Sequence, residues 1–536
     1  MPILEFESIK IIARFETVSN AENGFVINGK NVSLEIPGKV KKYYTHGWQS
    51  WSLTAWTDLE PLPRSKPYLL NPMQIDPVYA NHPFPNGSWV GAVELEDGKI
   101  LLLGALGLDS HVQYHNGTLQ GWYENNCSPN EEQLWFTAYG SEFDVFDAYA
   151  DLLKLHFGSS NPKKTGNIWC SWYSFYSSID EQSLQKVINS MADMPFDVIQ
   201  VDDGWQKAIG EWQANTKFPA GMKALADNIK STGRQAGLWL APLLVVPSSK
   251  TYRDHPEWLV RDENGKPISA GFNWGEQLFA LDTTHPQVLE WLEQLMTQVM
   301  DWGFEYVKLD FLYAGALPGI RYQNIPREAA YRMGLKVIRK TLGEKIFFLT
   351  CGAPVIPSLG LCDGMRIGPD VAGTWEDYRD AVLLYNPATP SVKNALRTSI
   401  NRFWLSSLLH VDPDVVYFIS DEKKLSAIQK ELLRNLAEIC KFKATSDLPQ
   451  KLSREQWDDA RKFLASNPSI ERTSRYTFKI NEKVIDYSEY VSLPPKPKGI
   501  TRLIGEITGW LGNQPLTYKI LNKLGDDSLE KMKKGL

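Results

Sequence analysis

From the N-terminus to about residue 160, apolar and polar positions alternate over short runs broken by turn residues. Gly24-Phe25-Val26-Ile27-Asn28-Gly29-Lys30 and Ser88-Trp89-Val90-Gly91-Ala92-Val93-Glu94-Leu95 are examples. Short strands at this spacing predict an antiparallel β-sandwich over 1–160. A loop rich in Pro, Tyr and Trp, Trp56 to Pro85, interrupts it, and Ser159-Ser160-Asn161-Pro162 reads as the link to the next domain. From Gly166 the pattern changes to near-continuous apolar runs alternating with helical spacing. The runs are Ile168–Phe175, Asp197–Val201, Gln235–Ala241, Phe279–Asp282, Tyr306–Phe311, Ile346–Thr350 and Met365–Ile367, with helical patterns between them such as Glu181–Met191 and Pro286–Trp302. Repeated strand–helix units over roughly 250 residues predict a closed (β/α)8 barrel, assigned to 161–440. A short β-containing segment is expected over 441–493, centred on Arg475–Val491. Residues 494–536 read as a Pro-rich linker and a helical tail, with Ile500, Leu503, Ile504, Ile507, Trp510 and Leu511 on one helix face. The fold class is thus multidomain α/β.

Composition narrows the function. The 536 residues include 19 Trp, 22 Tyr and 22 Phe, far too much core material for a disordered chain. A net charge of −6 argues against a nucleic-acid partner. Five cysteines without a Cys-x-x-Cys pair give neither a disulfide framework nor a zinc site of usual spacing. Met1-Pro2-Ile3-Leu4-Glu5 lacks the pattern of a signal peptide, and no apolar run is long enough to span a membrane, so a cytoplasmic location is expected. There is no Gly-x-Ser-x-Gly elbow and no His-Glu-x-x-His, and the eight histidines do not cluster. Gly24 to Lys30 carries glycines and a lysine like a phosphate loop, but Asn31 stands where Ser or Thr would hold magnesium. Acid–base chemistry therefore falls to carboxylates.

A barrel places its chemistry at the C-terminal ends of its strands. Asp202 and Asp203 end one apolar run, Asp310 another, and Asp370 follows Met365-Arg366-Ile367-Gly368-Pro369. Asp282 also ends a run, but its Asp-Thr-Thr-His-Pro continuation reads as a helix cap. Retaining glycoside cleavage needs one ionised and one protonated carboxyl about 5 Å apart. Lys308 lies two residues before Asp310 on a strand, so both face the same side, and the ammonium favours an ionised Asp310. Asp370, after a proline on a loop, can be tuned upward for acid duty. Arg366 stands four positions earlier, where it can hold a sugar hydroxyl.

These residues bear a resemblance. Val307-Lys308-Leu309-Asp310-Phe311-Leu312-Tyr313-Ala314-Gly315-Ala316 resembles the nucleophile strand of glycoside hydrolase family 36 α-galactosidases. Cys351-Gly352-Ala353-Pro354 with Asp363-Gly364-Met365-Arg366-Ile367-Gly368-Pro369-Asp370 is similar to that family's acid/base segment. Trp169-Cys170-Ser171-Trp172-Tyr173, Asp202-Asp203-Gly204-Trp205 and Trp48-Gln49-Ser50-Trp51 resemble its first barrel strand, its galactose-clamping pair and a loop reaching over the site. The resemblance implies Asp310 as nucleophile and Asp370 as acid/base. It implies that Asp202 and Asp203 bind the 4- and 6-hydroxyls of galactose, Lys308 the 3- and 4-hydroxyls, and Arg366 with Asp370 the 2-hydroxyl. Trp239 would form an aromatic wall, Trp51 would line the leaving-group side, and Cys351 and Gly352 would border the sugar.

The implied activity is hydrolysis of α-galactosides such as melibiose or raffinose, without metal or other cofactor. An α-N-acetylgalactosaminidase or α-galactosyl transferase of the same family, or a catalytically silent sugar-binding scaffold, are the alternatives. Two departures stand out. The C-terminal β region is short, and His410-Val411-Asp412-Pro413-Asp414 only partly matches the family's Asn-Asp-Pro-Asp barrel ending. The tail's apolar face is expected to pack on its own barrel or across a homo-oligomer interface. A membrane surface is disfavoured, because Glu506, Asp526, Asp527 and Glu530 dilute Lys519, Lys523, Lys531, Lys533 and Lys534.

Overall fold

The structure, a computed structural model, describes residues 2–60, 73–80, 82–124, 133–159, 163–191, 194–376, 385–419 and 425–512. The alternating N-terminal runs pair into two antiparallel sheets of six and seven strands. Their facing side chains, among them Ile11, Leu34, Leu101, Leu103 and Trp135, form one buried cluster. Helix Glu142–Phe157, capped by the Ser141 hydroxyl on Asp144 N, then leads to the barrel.

Eight parallel strands follow: Asn167–Cys170, Val198–Val201, Gln235–Leu240, Tyr306–Leu309, Phe347–Thr350, Gly364–Arg366, His410–Asp412 and Lys443–Thr445. The first seven are hydrogen-bonded in chain order, and the eighth pairs with the first. The sheet closes where Val416, just past the seventh strand, bridges Thr445 of the eighth. Strands two, four and five bury every residue, as expected of a sheet covered by helices outside and packed within. The eighth strand lies beyond residue 440, so the barrel reaches further along the chain than the helical pattern indicated.

One expected barrel strand has another role. The run at Phe279–Asp282 belongs to Glu276–Ala280, which pairs antiparallel with Ser269–Asn273 and Leu244–Val245 in a small sheet between barrel strands three and four. Its hairpin turns over Trp274 and Gly275, both at positive φ (51° and 72°), the combination that a two-residue type I′ turn requires. Asp282 accepts from Thr284 N at 2.9 Å and Tyr322 N at 2.6 Å, while the cap of helix Pro286–Asp301 is His285. Asp282 therefore braces two loops instead of capping the helix.

The two large domains are stitched together. The buried Arg402 guanidinium donates to the carbonyls of Gly47 and Gln49, at 2.9 Å each, and to that of Ser50. Ser50 N donates to Ala353 O, and Val355 N to Trp48 O. The C-terminal β segment is a three-stranded sheet, Ile470–Arg472, Thr477–Ile480 and Lys483–Asp486. Arg475 beside it pairs with Glu94 and Glu142 of the N-terminal domain. In helix Gly499–Gly512, Ile500, Leu503, Ile504, Ile507 and Leu511 remain about half exposed or more. The tail lysines from Lys519 onward lie outside the described residues. No described helix is long and apolar enough to cross a membrane.

Candidate active site

At the C-terminal ends of the barrel strands lies a cavity of about 190 Å³, on the scale of a single hexose. It is lined by Asp202, Asp203, Trp239, Lys308, Asp310, Arg366, Asp370 and Trp51, so eight of the ten residues singled out in the sequence meet in one place. The barrel brings seven of them together because each sits at, or just past, the end of an inward-facing run, and Trp51 joins them from the N-terminal domain, between strands Val40–Thr45 and Ala55–Thr57. Trp239 and Lys308 are register partners on strands three and four. Lys308 and Asp310 share the inner side, as period-two alternation requires.

Cys351 and Gly352 are placed behind that surface. Cys351 is fully buried, and Gly352, at φ +52°, lies under the Trp51 indole. A Cβ at Gly352 would stand 2.9 Å from the indole and 3.1 Å from Phe311 N. Glycine therefore lets Trp51 lie down over the site. Trp51 in turn meets Phe311 edge-on at 5.0 Å.

Each carboxylate has a distinct environment. Asp310 Oδ2 accepts from Trp239 Nε1 at 3.0 Å and Oδ1 from Phe311 N at 2.8 Å. Asp202 Oδ2 accepts from Lys308 Nζ at 2.9 Å and Gln200 Nε2 at 2.6 Å. Burial opposes the Lys308 charge, but Asp202 foremost, with Asp310 among the nearby groups, holds it well above the usual lysine range. Asp203 accepts from Trp274 Nε1 at 2.7 Å and Gln206 Nε2 at 2.6 Å; burial outweighs these bonds and pushes it up to about 6.

Asp370 is pushed up to about 7, first by burial and then by the charge of Asp414, against the pull of Arg366. Its side chain is one-third open to the cavity. Arg366 is more heavily committed than its expected role with a hydroxyl implies. Its Nη1 meets Asp370 Oδ1 at 3.0 Å, Nε meets Asp412 Oδ2 at 3.0 Å, and Nη2 meets Asp414 Oδ1 at 2.9 Å.

Several lining residues had not been singled out. Trp274 reaches Asp203 from the hairpin tip; the signal was Asn273-Trp274-Gly275, a turn with an aromatic at its apex. Tyr173 and Asp414, joined by a hydrogen bond from the phenol, close the far side. Met73 and Gln74 enter from the loop Trp56 to Pro85.

Asp76, His111 and Glu124 are the one group among the described residues whose ligand atoms lie close enough together for a metal, within 4.8 Å. They stand apart from the cavity lining, and Arg327 Nη2 is 2.7 Å from both Asp76 Oδ2 and Glu124 Oε1. A guanidinium supplies the cation there. A polyol-sized cavity with aromatic walls, two unlike carboxyls and a set of buried acceptors can bind a hexose and cleave a bond to its anomeric carbon.

The Melibiase family profile matches residues 139–346. The α-galactosidase AgaA of Geobacillus stearothermophilus is 30% identical over 184 residues, which are 32% of this chain and 24% of that protein. Probable α-galactosidase G of Aspergillus terreus is 28% identical over 214 residues, 36% of this chain and 28% of that protein. These matches span about a quarter of the curated relatives' length. Among solved structures, an α-galactosidase from Thermus thermophilus in complex with p-nitrophenyl α-D-galactopyranoside is 40% identical with a TM-score of 0.86. It covers 91% of this chain and 99% of that one. The same Thermus enzyme in complex with stachyose gives 41% identity and a TM-score of 0.82, covering 87% and 99%.

Proposed function

The chain belongs to the family 36 α-galactosidases, the melibiase family, and from that premise we propose that it is itself a retaining α-galactosidase. One observation carries the reading: two carboxyl groups share a cavity in opposite electrostatic settings. Asp310 accepts two N–H bonds beside a lysine, whereas Asp370 is held near neutral pH with its proton. That is the division of labour double displacement needs.

In the first step an Asp310 oxygen attacks the anomeric carbon as the glycosidic C–O bond breaks, and Asp370 gives its proton to the departing oxygen. In the second, Asp370 takes a proton from water, whose oxygen attacks the same carbon and releases Asp310. Two inversions give net retention. Asp202, Asp203 and Lys308 are the partners for the galactose hydroxyls. Buried charged acceptors of this kind discriminate strongly between epimers, because a missing hydroxyl leaves them unpaired. Trp239 forms a wall and Trp51 the leaving-group side. Arg366 acts on the sugar through Asp370, since its nitrogens are already shared among three acids. The substrates are terminal α-galactosides, the class to which the ligands of the Thermus enzyme belong: p-nitrophenyl α-galactoside and stachyose.

The test is to incubate the protein with p-nitrophenyl α-galactoside and its 2-acetamido counterpart and follow the product by NMR. The proposal expects turnover of the first, α-galactose as the first anomer formed, and little or no turnover of the second. β-Galactose formed first would mean inversion. No turnover of either would favour a silent sugar-binding scaffold.

A further inference from the structure

Three acids crowd around the single guanidinium of Arg366, and they are not equivalent. Asp412 Oδ2 accepts from Arg366 Nε at 3.0 Å and its Oδ1 from Asp414 N at 2.7 Å. Asp414 Oδ1 meets Arg366 Nη2 at 2.9 Å; its Oδ2 accepts from Val371 N at 2.9 Å and from the Tyr173 hydroxyl. Among the described residues Asp370 has one hydrogen bond, from Arg366 Nη1 at 3.0 Å. One positive charge cannot balance three carboxylates away from water. The proton goes where the anion is least supported, and that is Asp370.

We propose that Asp414 is a positioning residue for Asp370: it takes a share of the Arg366 charge that Asp370 would otherwise hold, and it grips the peptide N–H of Val371, immediately after Asp370. The proposal deepens the retaining α-galactosidase reading and rests on it. Two further observations carry it. Asp414 sits at φ +79°, a left-handed conformation that a non-glycine residue keeps only when its surroundings hold it there. Here the Asp412 carboxylate and Arg366 do so. Asp414 also bridges four separate elements, being bonded to the loop after strand one (Tyr173), strand six (Arg366), the loop after strand six (Val371) and strand seven (Asp412).

The titratable and charged groups facing Asp414 are Arg366, Asp370, Asp412, Tyr173, Tyr417 and Cys170. Five of the six are acids, phenols or a thiol, so removing the Asp414 charge relieves repulsion on Asp370 and frees the guanidinium for it. Both effects favour ionised Asp370 and so weaken the proton donor.

The experiment compares wild type and Asp414→Asn, full-length, in kcat/KM against pH, on melibiose and on p-nitrophenyl α-galactoside. The alkaline limb is expected to move to lower pH by about one unit or more. The loss at neutral pH should be greater on melibiose, whose leaving group needs the proton. A limb that stays in place or moves upward, whatever rate is lost, overturns the proposal. If Asp414→Asn does not fold, as judged by circular dichroism, Tyr173→Phe carries the test. It removes the hydrogen bond that draws charge from Asp414, so it should move the limb upward; an unmoved limb there overturns the proposal too. A wild-type protein inactive on α-galactosides would instead sink the family-based reading, which keeps the two failures apart.

Discussion

Trp239 Nε1 donates to Asp310 Oδ2 at 3.0 Å, so one side chain serves both as a wall of the cavity and as the support of the proposed nucleophile. Trp239→Phe keeps an aromatic face and removes only the donor. A hydrogen bond to a charged group is worth roughly 1.5–3 kcal/mol, so kcat should fall about ten- to a hundredfold on p-nitrophenyl α-galactoside. KM and the melting temperature should change little. A rise in KM at unchanged kcat would assign Trp239 to sugar binding alone.

The cavity predicts a narrow pH optimum. In the proposed roles Asp203 works ionised, accepting from sugar hydroxyls, and is pushed up to about 6, while Asp370 works protonated and is pushed up to about 7. Activity therefore rises as pH passes the first value and falls as it passes the second, giving a bell in kcat/KM for the free enzyme. Asp203→Asn should lower the maximum and abolish the acid limb while leaving the alkaline one. Persistence of the acid limb in that variant would show that another group controls it.

A third expectation concerns the junction between the domains. Glu328, on the barrel helix Arg327–Leu342, accepts from Trp48 Nε1 at 3.2 Å, Trp89 Nε1 at 3.0 Å and Asp109 N at 2.6 Å. Burial pushes its carboxyl up from 4.5 to about 7. The folded state then binds more protons than the unfolded one between those values. This contribution to stability is complete below about pH 4.5 and is lost as pH rises through 7. Glu328→Gln turns an N–H against one of three donors. That costs about 1–3 kcal/mol, read as a lowered melting temperature, and should reduce the slope of stability between pH 5 and 7. An unchanged slope would show that Glu328 does not titrate there.

The barrel and most of the site were legible in the sequence for one reason: acids that end apolar runs must gather at one end of a closed parallel sheet. Lys308 and Asp310 follow from strand alternation alone. The misplacement of Phe279–Asp282 has an equally local cause. A short apolar run looks the same whether its partner strand is parallel or antiparallel, and only the Asn273-Trp274-Gly275 turn distinguishes the two cases. Asp414 and Tyr173 were invisible as partners because their relation spans 241 residues and depends on barrel closure. Cys351 and Gly352 are not among the residues lining the cavity, and the packing of Gly352 against the Trp51 indole joins positions too far apart in sequence to be read from it.

The central claim is that Asp310 is the nucleophile of a retaining reaction, and Asp310→Gly with azide tests it most directly. Glycine leaves a space where the carboxylate stood, and a small anion entering it must attack from the β face. Given p-nitrophenyl α-galactoside and azide, the variant should be almost inactive alone, regain turnover with added azide, and give β-galactosyl azide identified by NMR. Near-wild-type hydrolysis without azide, or α-galactosyl azide as the product, would contradict the account.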